Sequence, residues 1–263
     1  MTSARKLAFI SDGAAAGARA IAERLVSHGM QVMLNLGPGQ DEEGAKTAFG
    51  KDLWESVLWS RGDLSQGASA GRVLSQTIEQ FGTVDVLIHN SQRIVATSVE
   101  HADCRTYQDS MAVNVKSAFF LTQAFARQPT LEDSRIIYVS SIHAEKPTGS
   151  SFVYSVGKGA LGMLAREAAL DLGRRGASVN VIEMGPVEGD DQRFASEISD
   201  LYQYYRYKVP SAVLGTFEDL AHLIWFLSLP ESRFINGSTI RLDGGFSLHY
   251  MNHKMKLGHD QNA

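Results

Sequence analysis

Tyr154 and Lys158 stand four residues apart in a stretch with helical periodicity, Phe152-Arg174, so their side chains leave one helix face a single turn apart. That spacing has a chemical use. A phenol starts with a pKa of ~10, and an ammonium beside it favours phenolate, bringing the hydroxyl toward the range where it trades protons near neutral pH. A shift of even two pK units represents ~2.7 kcal/mol of differential interaction, which requires a partly desolvated cleft. Ser141 follows an apolar run and precedes this helix, where its hydroxyl can hold a substrate oxygen. A lone Tyr-x-x-x-Lys is common by chance and is usually a solvated pair; the position just past a strand gives the trio its weight.

These residues need a frame, and the chain supplies a regular one. Short apolar, β-branched runs at Lys6-Ser11, Gln31-Leu36, Val57-Ser60, Val84-His89, Arg135-Ser140, Ser178-Met184 and Ser238-Leu242 read as doubly covered strands. Amphipathic stretches at Ala14-His28, Ala68-Phe81, Arg105-Ala126, Phe152-Arg174 and Phe217-Leu229 alternate with them, and Gly29 and Gly82 stop the first two. The rhythm predicts one α/β domain over residues 1-263, a doubly wound parallel seven-stranded sheet with helices on both faces in three layers. Residues 188-210 depart from the rhythm, with Tyr202, Tyr204, Tyr205 and Tyr207 beside Arg206, and 246-263 form a tail holding His249, His253 and His259. The tyrosine stretch reads as a substrate contact, or else as helix packing or a subunit contact. The tail histidines lack a carboxylate or cysteine to complete a metal site, so no metal is expected.

Composition removes several classes. With 25 Lys+Arg against 29 Asp+Glu and a net charge of -4, the chain offers no broad basic surface for nucleic acid. No segment approaches the ~18 apolar residues of a membrane span. Cys104 is the only cysteine, which excludes an internal disulfide and fits a reducing cytoplasm; it reads as a buried or helix-start thiol.

In a doubly wound sheet, ligands bind beyond the carboxyl ends of the strands near the switch in strand order. The first such turn, Ser11-Asp12-Gly13-Ala14-Ala15-Ala16-Gly17-Ala18, is built of small residues and leads into a helix amino terminus. It suits an anion, and equally it suits tight packing of that helix on the sheet.

Taken in order, these residues resemble the short-chain dehydrogenase/reductase family from Leu7 to about Gly245. Ser141, Tyr154 and Lys158 match the catalytic serine, tyrosine and lysine, and Asn114 in Val113-Asn114-Val115-Lys116 matches the asparagine of the proton relay. Asp63 matches the acidic residue that meets adenine, Asn90 the second asparagine after strand four, and Leu242-Asp243-Gly244-Gly245 the closing strand. The resemblance implies a Rossmann-like fold with strand order 3-2-1-4-5-6-7 and a homotetramer. It implies NAD or NADP across the strand ends, held by Ser11, Gly13, Gly17, Asp63, Asn90, Tyr154, Lys158, Gly185 and Val187. It also implies hydride transfer between the nicotinamide and an alcohol or ketone, a small-molecule substrate. Tyr154 would exchange the proton, Ser141 hold the oxygen, Lys158 bias the phenol and bond the nicotinamide ribose, and Asn114 position a relay water.

The same alignment exposes departures at the cofactor end. The three family glycines fall at Asp12, Ala16 and Ala18, with Gly13 and Gly17 one residue off, and Asp12 adds negative charge beside a diphosphate. Gln92 replaces the glycine after strand four. Leu36, before Gly37 and Pro38, stands where an acidic residue would bond the ribose, and no Arg or Lys stands there for a 2′-phosphate, so neither cofactor is specified. Met184 replaces a proline, and Gly189 a threonine. Two other readings share the scaffold. Halohydrin dehalogenases resemble the pattern in losing the glycine turn, yet carry arginine where this chain has Lys158. A cofactor-free binding or regulatory protein would keep the quartet idle.

Overall fold

The computed structural model describes residues 5–188 and 209–248. Its strands are β1 (Leu7–Ile10), β2 (Gln31–Leu36), β3 (Leu58–Arg61), β4 (Val86–His89), β5 (Arg135–Ser141), β6 (Ser178–Met184) and β7 (Thr239–Leu242). They pair in parallel in the order β3-β2-β1-β4-β5-β6-β7. The seven predicted strands and their order are therefore those observed. The order reverses between β1 and β4, which opens the crevice at their carboxyl ends.

Successive strand residues point to opposite faces, so the apolar runs feed two cores. Phe9, Leu87, Tyr138 and Val181 belong to one; Ala8, Ile10, Ile88 and Ile182 belong to the other. The first core is roofed by α4 (Gly67–Phe81), α6 (Ser117–Ala126) and α7 (Phe152–Gly173), and the second by α1 (Ala18–Ser27) and α8 (Phe217–Ser228). Thr216 and Asp219 form a reciprocal capping box that fixes the start of α8. As predicted, α1 and α4 stop at Gly29 and Gly82, whose φ values of 82° and 92° favour glycine.

Three departures from the sequence reading bear on the site. Helix α1 begins at Ala18, not Ala14, because residues 12–17 form an irregular turn in which the Asp12 carboxylate accepts the Ala14 N–H. The stretch Arg105-Ala126 is not one α-helix. It comprises α5 (Cys104–Met111), a π-helical segment Ala112–Lys116, and α6. Two helices went unread, α2 (Glu42–Phe49), capped by Asp41 through the Gly44 N–H, and α3 (Lys51–Ser56), which starts after Gly50 at φ 72°.

Candidate active site

Lys158 lies on α7 with 1% of its surface exposed, and its ammonium is directed inward across the ends of β4 and β5. It donates to the carbonyl of Val139 at 3.0 Å and of Ser91 at 3.4 Å, while Ser140 Oγ donates back to the Lys158 carbonyl at 3.1 Å. The same ammonium stands 5.6 Å from the centre of the Tyr154 ring, so the helical spacing places the pair on one face as expected. Tyr154 is 3% exposed. Burial brings the Lys158 pKa down to about 7, because a charge removed from water must be compensated and two carbonyls compensate it only in part. An ammonium has three donors and two are spent on these carbonyls, which leaves one for a hydroxyl beside Tyr154.

Ser141 closes β5, in register with Met184, and its hydroxyl accepts the His143 N–H at 3.2 Å. Asn114 is fully buried in the π-helical segment, the kind of helix irregularity that recurs at functional sites. Its amide clasps the backbone of Arg93, accepting from N at 3.1 Å and donating to O at 3.0 Å, and also donates to Ser110 Oγ at 3.0 Å. Helix α7 presses on this segment through Gly157, where a Cβ would stand 3.3 Å from the Asn114 Cβ. One helix thus carries Tyr154 and Lys158 and is laid against Asn114.

His89, at the end of β4, was not singled out in the sequence. It is wholly buried, with Nε2 2.7 Å from Ser117 Oγ and Nδ1 without a partner among the described residues. Burial first, and then the Lys158 charge, push its pKa down to about 3, so it is a neutral wall beneath the ammonium.

The turn after β1 is tied to the turn after β4 by side chains. Ser11 Oγ lies 3.1 Å from Asn90 Oδ1 and 2.8 Å from Ser91 Oγ, while Asn90 Nδ2 donates to the Asp12 carbonyl at 2.9 Å. Ser11 and Asn90 therefore shape this edge by bonding each other. Gly13 is required by Trp59, whose Cζ3 a Cβ would approach to 2.5 Å, and Gly17 by Phe217 of α8 at 3.0 Å. Both expected phosphate-turn glycines have a packing reason of their own. Asp12 is buried, and its Oδ1 accepts from Ala14 N at 3.0 Å and from Gln40 Nε2 at 2.7 Å. Gln40 Oε1 in turn accepts the Gly37 N–H at 2.7 Å, so Gln40 clips the loop after β2 to the turn after β1. Burial raises the Asp12 pKa, opposed by these hydrogen bonds.

The remaining expected contacts line the same strand ends. Asp63, past β3, accepts from Ser65 N at 3.0 Å and Ser65 Oγ at 2.7 Å. Gly185 leaves no room for a Cβ, since Asp243 Cβ would lie at 2.6 Å, and Val187 is buried in a bridge to Gly215. Leu36 is buried at the end of β2, and its partner across the ladder is Arg61 of β3. Arg61 pairs with Glu42 at 2.5 Å. Cys104 is exposed at the start of α5. Gly189, the four tyrosines, Arg206 and the three tail histidines lie outside the described residues.

Together these residues fit a nicotinamide dinucleotide at its nicotinamide end, where a buried ammonium with a spare donor flanks a phenol and a hydroxyl. At the phosphate end the turn offers a helix start together with the Asp12 carboxylate. No helix among the described residues is long and apolar enough to cross a membrane.

Comparison with known proteins agrees. The family model described as Enoyl-(Acyl carrier protein) reductase matches residues 13–247. A short-chain dehydrogenase/reductase of Hericium erinaceus is 31% identical, over 92% of this chain and 98% of that protein. The 3-oxoacyl-[acyl-carrier-protein] reductase of Escherichia coli is 28% identical, over 91% and 96%. Among solved structures, a blue fluorescent protein from a metagenomic library in complex with NADPH superposes with a TM-score of 0.81 at 28% identity, over 92% of this chain and 98% of that one. A Burkholderia cenocepacia short chain dehydrogenase in complex with NADP gives 0.81 at 26% identity, over the same shares.

Proposed function

The chain belongs to the short-chain dehydrogenase/reductase family of NAD(P)-dependent oxidoreductases, and from that premise we propose that it interconverts an alcohol and a ketone. The observation that carries this reading is the buried Lys158 ammonium beside the Tyr154 ring. A charge kept out of water costs the fold stability, and its use in the site is a reason to keep it there. The bound nicotinamide would supply or accept the hydride at the carbinol carbon. Tyr154 exchanges the proton with the substrate oxygen, and Ser141 holds that oxygen by hydrogen bonding. Lys158 favours the phenolate, and ionisation of the two groups is coupled: a phenolate beside the ammonium raises the lysine's hold on its proton. Asn114 fixes the loop at Arg93 that borders the site and positions a relay water.

The residues that would hold the dinucleotide are Ser11, Gly13, Gly17, Asp63, Asn90, Tyr154, Lys158, Gly185 and Val187. NADP(H) is the favoured form in this reading. Leu36 supplies no carboxylate for an unphosphorylated ribose, and Arg61 next to it in the ladder supplies a cation. The protein assembles as a homotetramer in a reducing cytoplasm. Supporting that assembly, Phe152, Val156, Met163 and Leu170 leave an exposed apolar stripe along α7, with Tyr107 of α5 and Phe119 of α6 exposed alongside. Sedimentation equilibrium measures the assembly.

Titration with NADPH and NADH, followed by nicotinamide fluorescence and melting temperature, tests the reading. A ligand that binds only the folded state must raise the melting point. Absence of binding of either at millimolar concentration overturns it.

A further inference from the structure

Two residues beyond Ser141 stands a histidine that the mechanism above does not use. His143 occupies the single 3₁₀ turn Ile142–Ala144, whose start is held by the bond from His143 N–H to Ser141 Oγ. Its ring lies edge-on to the Tyr154 ring, with centroids 5.8 Å apart and planes at 78°. Its Nδ1 is 3.0 Å from the hydroxyl of Ser151, the residue that precedes α7.

Ser151 sits where a serine ordinarily caps a helix by accepting a backbone N–H of the first turn. It makes no such cap here. The hydroxyl is buried and directed sideways, to His143, to Ser155 Oγ at 3.2 Å and to Thr148 Oγ1 at 3.3 Å. Tyr154 lies one turn further along α7 from Ser151. His143 is thus bonded at its backbone to one reacting hydroxyl's residue and at its ring to the start of the helix that carries the other. Burial lowers its pKa, so at neutral pH the imidazole is an uncharged brace that adds no competing cation beside Lys158.

We propose that His143 is a positioning residue, which through its Nδ1 bond to Ser151 sets the Tyr154 hydroxyl against Ser141. The inference rests on the roles given above to Tyr154 and Ser141. Three variants separate the atoms of the ring: His143→Asn keeps a polar atom near the Nδ1 position, His143→Gln keeps one near Nε2, and His143→Ala keeps neither. At saturating NADPH, with ethyl acetoacetate as the ketone, kcat falls about tenfold or more in the Ala and Gln variants, because small misplacements of reacting groups are costly. The Asn variant returns to within about threefold of the parent. Ser151→Ala matches His143→Ala, and the double variant loses nothing further. NADPH affinity by fluorescence and melting temperature stay at parental values throughout.

A readout independent of turnover follows the Tyr154 ¹³Cζ resonance, assigned by its loss in Tyr154→Phe. It moves in the Ala and Gln variants and returns in the Asn variant. Parental kcat in His143→Ala overturns the proposal, as does rescue by Gln instead of Asn, or equal loss in all three with a lowered melting point. If instead Tyr154→Phe turns over substrate like the parent, the proton-transfer role of Tyr154 fails, which is a different failure.

Discussion

At the ends of β4 and β5 the protein keeps groups that work against its stability, whereas at the turn after β1 nearly every unusual residue is explained by packing. Lys158 is buried with two carbonyl acceptors, and His89 beneath it carries an Nδ1 without a partner among the described residues. Neither arrangement helps the fold. Across the crevice, Gly13 makes room for Trp59, Gly17 makes room for Phe217, and Gln40 satisfies Asp12 and Gly37 together. Costly features without a packing reason mark the place where chemistry is done; features that lower the energy of the apoprotein say less about ligands.

The sharpest break of this contrast is Tyr154→Phe. Loss of general acid–base catalysis lowers kcat by about 10²–10⁴-fold, while NADPH affinity changes far less because the other residues that would hold the dinucleotide remain. Retained turnover would move the chemistry elsewhere.

Lys158→Met tests the stability half of the same statement. Its turnover drops by about 10²-fold or more. The folded-state pKa of Lys158, about 7, lies below the ordinary lysine value. Between the two, the unfolded chain binds more protons, so this residue makes stability rise with pH and weakens the fold at lower pH. Substitution removes that slope. The melting temperature of the variant relative to the parent therefore becomes more favourable as pH is lowered from about 9 to about 6. A constant difference across that range breaks the assignment of a buried, partly compensated ammonium.

Both ends were legible in the sequence to different depths. The seven strands could be read because doubly covered strands are unbroken apolar runs, and Tyr154 with Lys158 because helical spacing fixes their shared face. Helix α2 was missed since it is short and announced mainly by the Asp41 cap. The π-helical turn at Asn114 was missed because Ala112–Lys116 is compatible with an ordinary helix, and its close approach to Gly157 of α7 is a tertiary contact. Arg61, Gln40 and His89 act through register and tertiary contact, which no local pattern reports. His143 had a signal, its place two residues after Ser141, that a search of the strand end alone would have caught.

Asp12 gives the next prediction. Its carboxylate lies in the turn that would receive the diphosphate, and burial raises its pKa. The anionic form repels phosphate, so cofactor binding takes up a proton. NADPH affinity rises as pH falls through the range above the ordinary carboxylate value. Asp12→Asn keeps an acceptor for Gln40 and Ala14 while removing the charge. It raises NADPH affinity about tenfold at neutral pH, a loss of like-charge repulsion of ~1.4 kcal/mol, and flattens the pH dependence. Unchanged affinity and slope would place the diphosphate away from Asp12 and make the turn a purely structural element.

The smallest effect concerns Arg61, where the cofactor end has a charge of the right sign. The guanidinium is mostly exposed and already paired with Glu42, so its attraction for a 2′-phosphate is screened and shared. An exposed pair of this kind is worth up to about 1 kcal/mol, which sets the limit at about a fivefold change in dissociation constant. Arg61→Ala weakens NADPH binding by up to that factor and leaves NADH binding alone. Glu42→Gln, which frees the guanidinium, strengthens NADPH binding by a similar factor, and added salt erases both effects because the charges face water. Equal responses toward NADPH and NADH would mean that Arg61 serves β3 and α2 only. Any preference for a phosphorylated cofactor would then rest on the loop 37–40, the other element at this strand end.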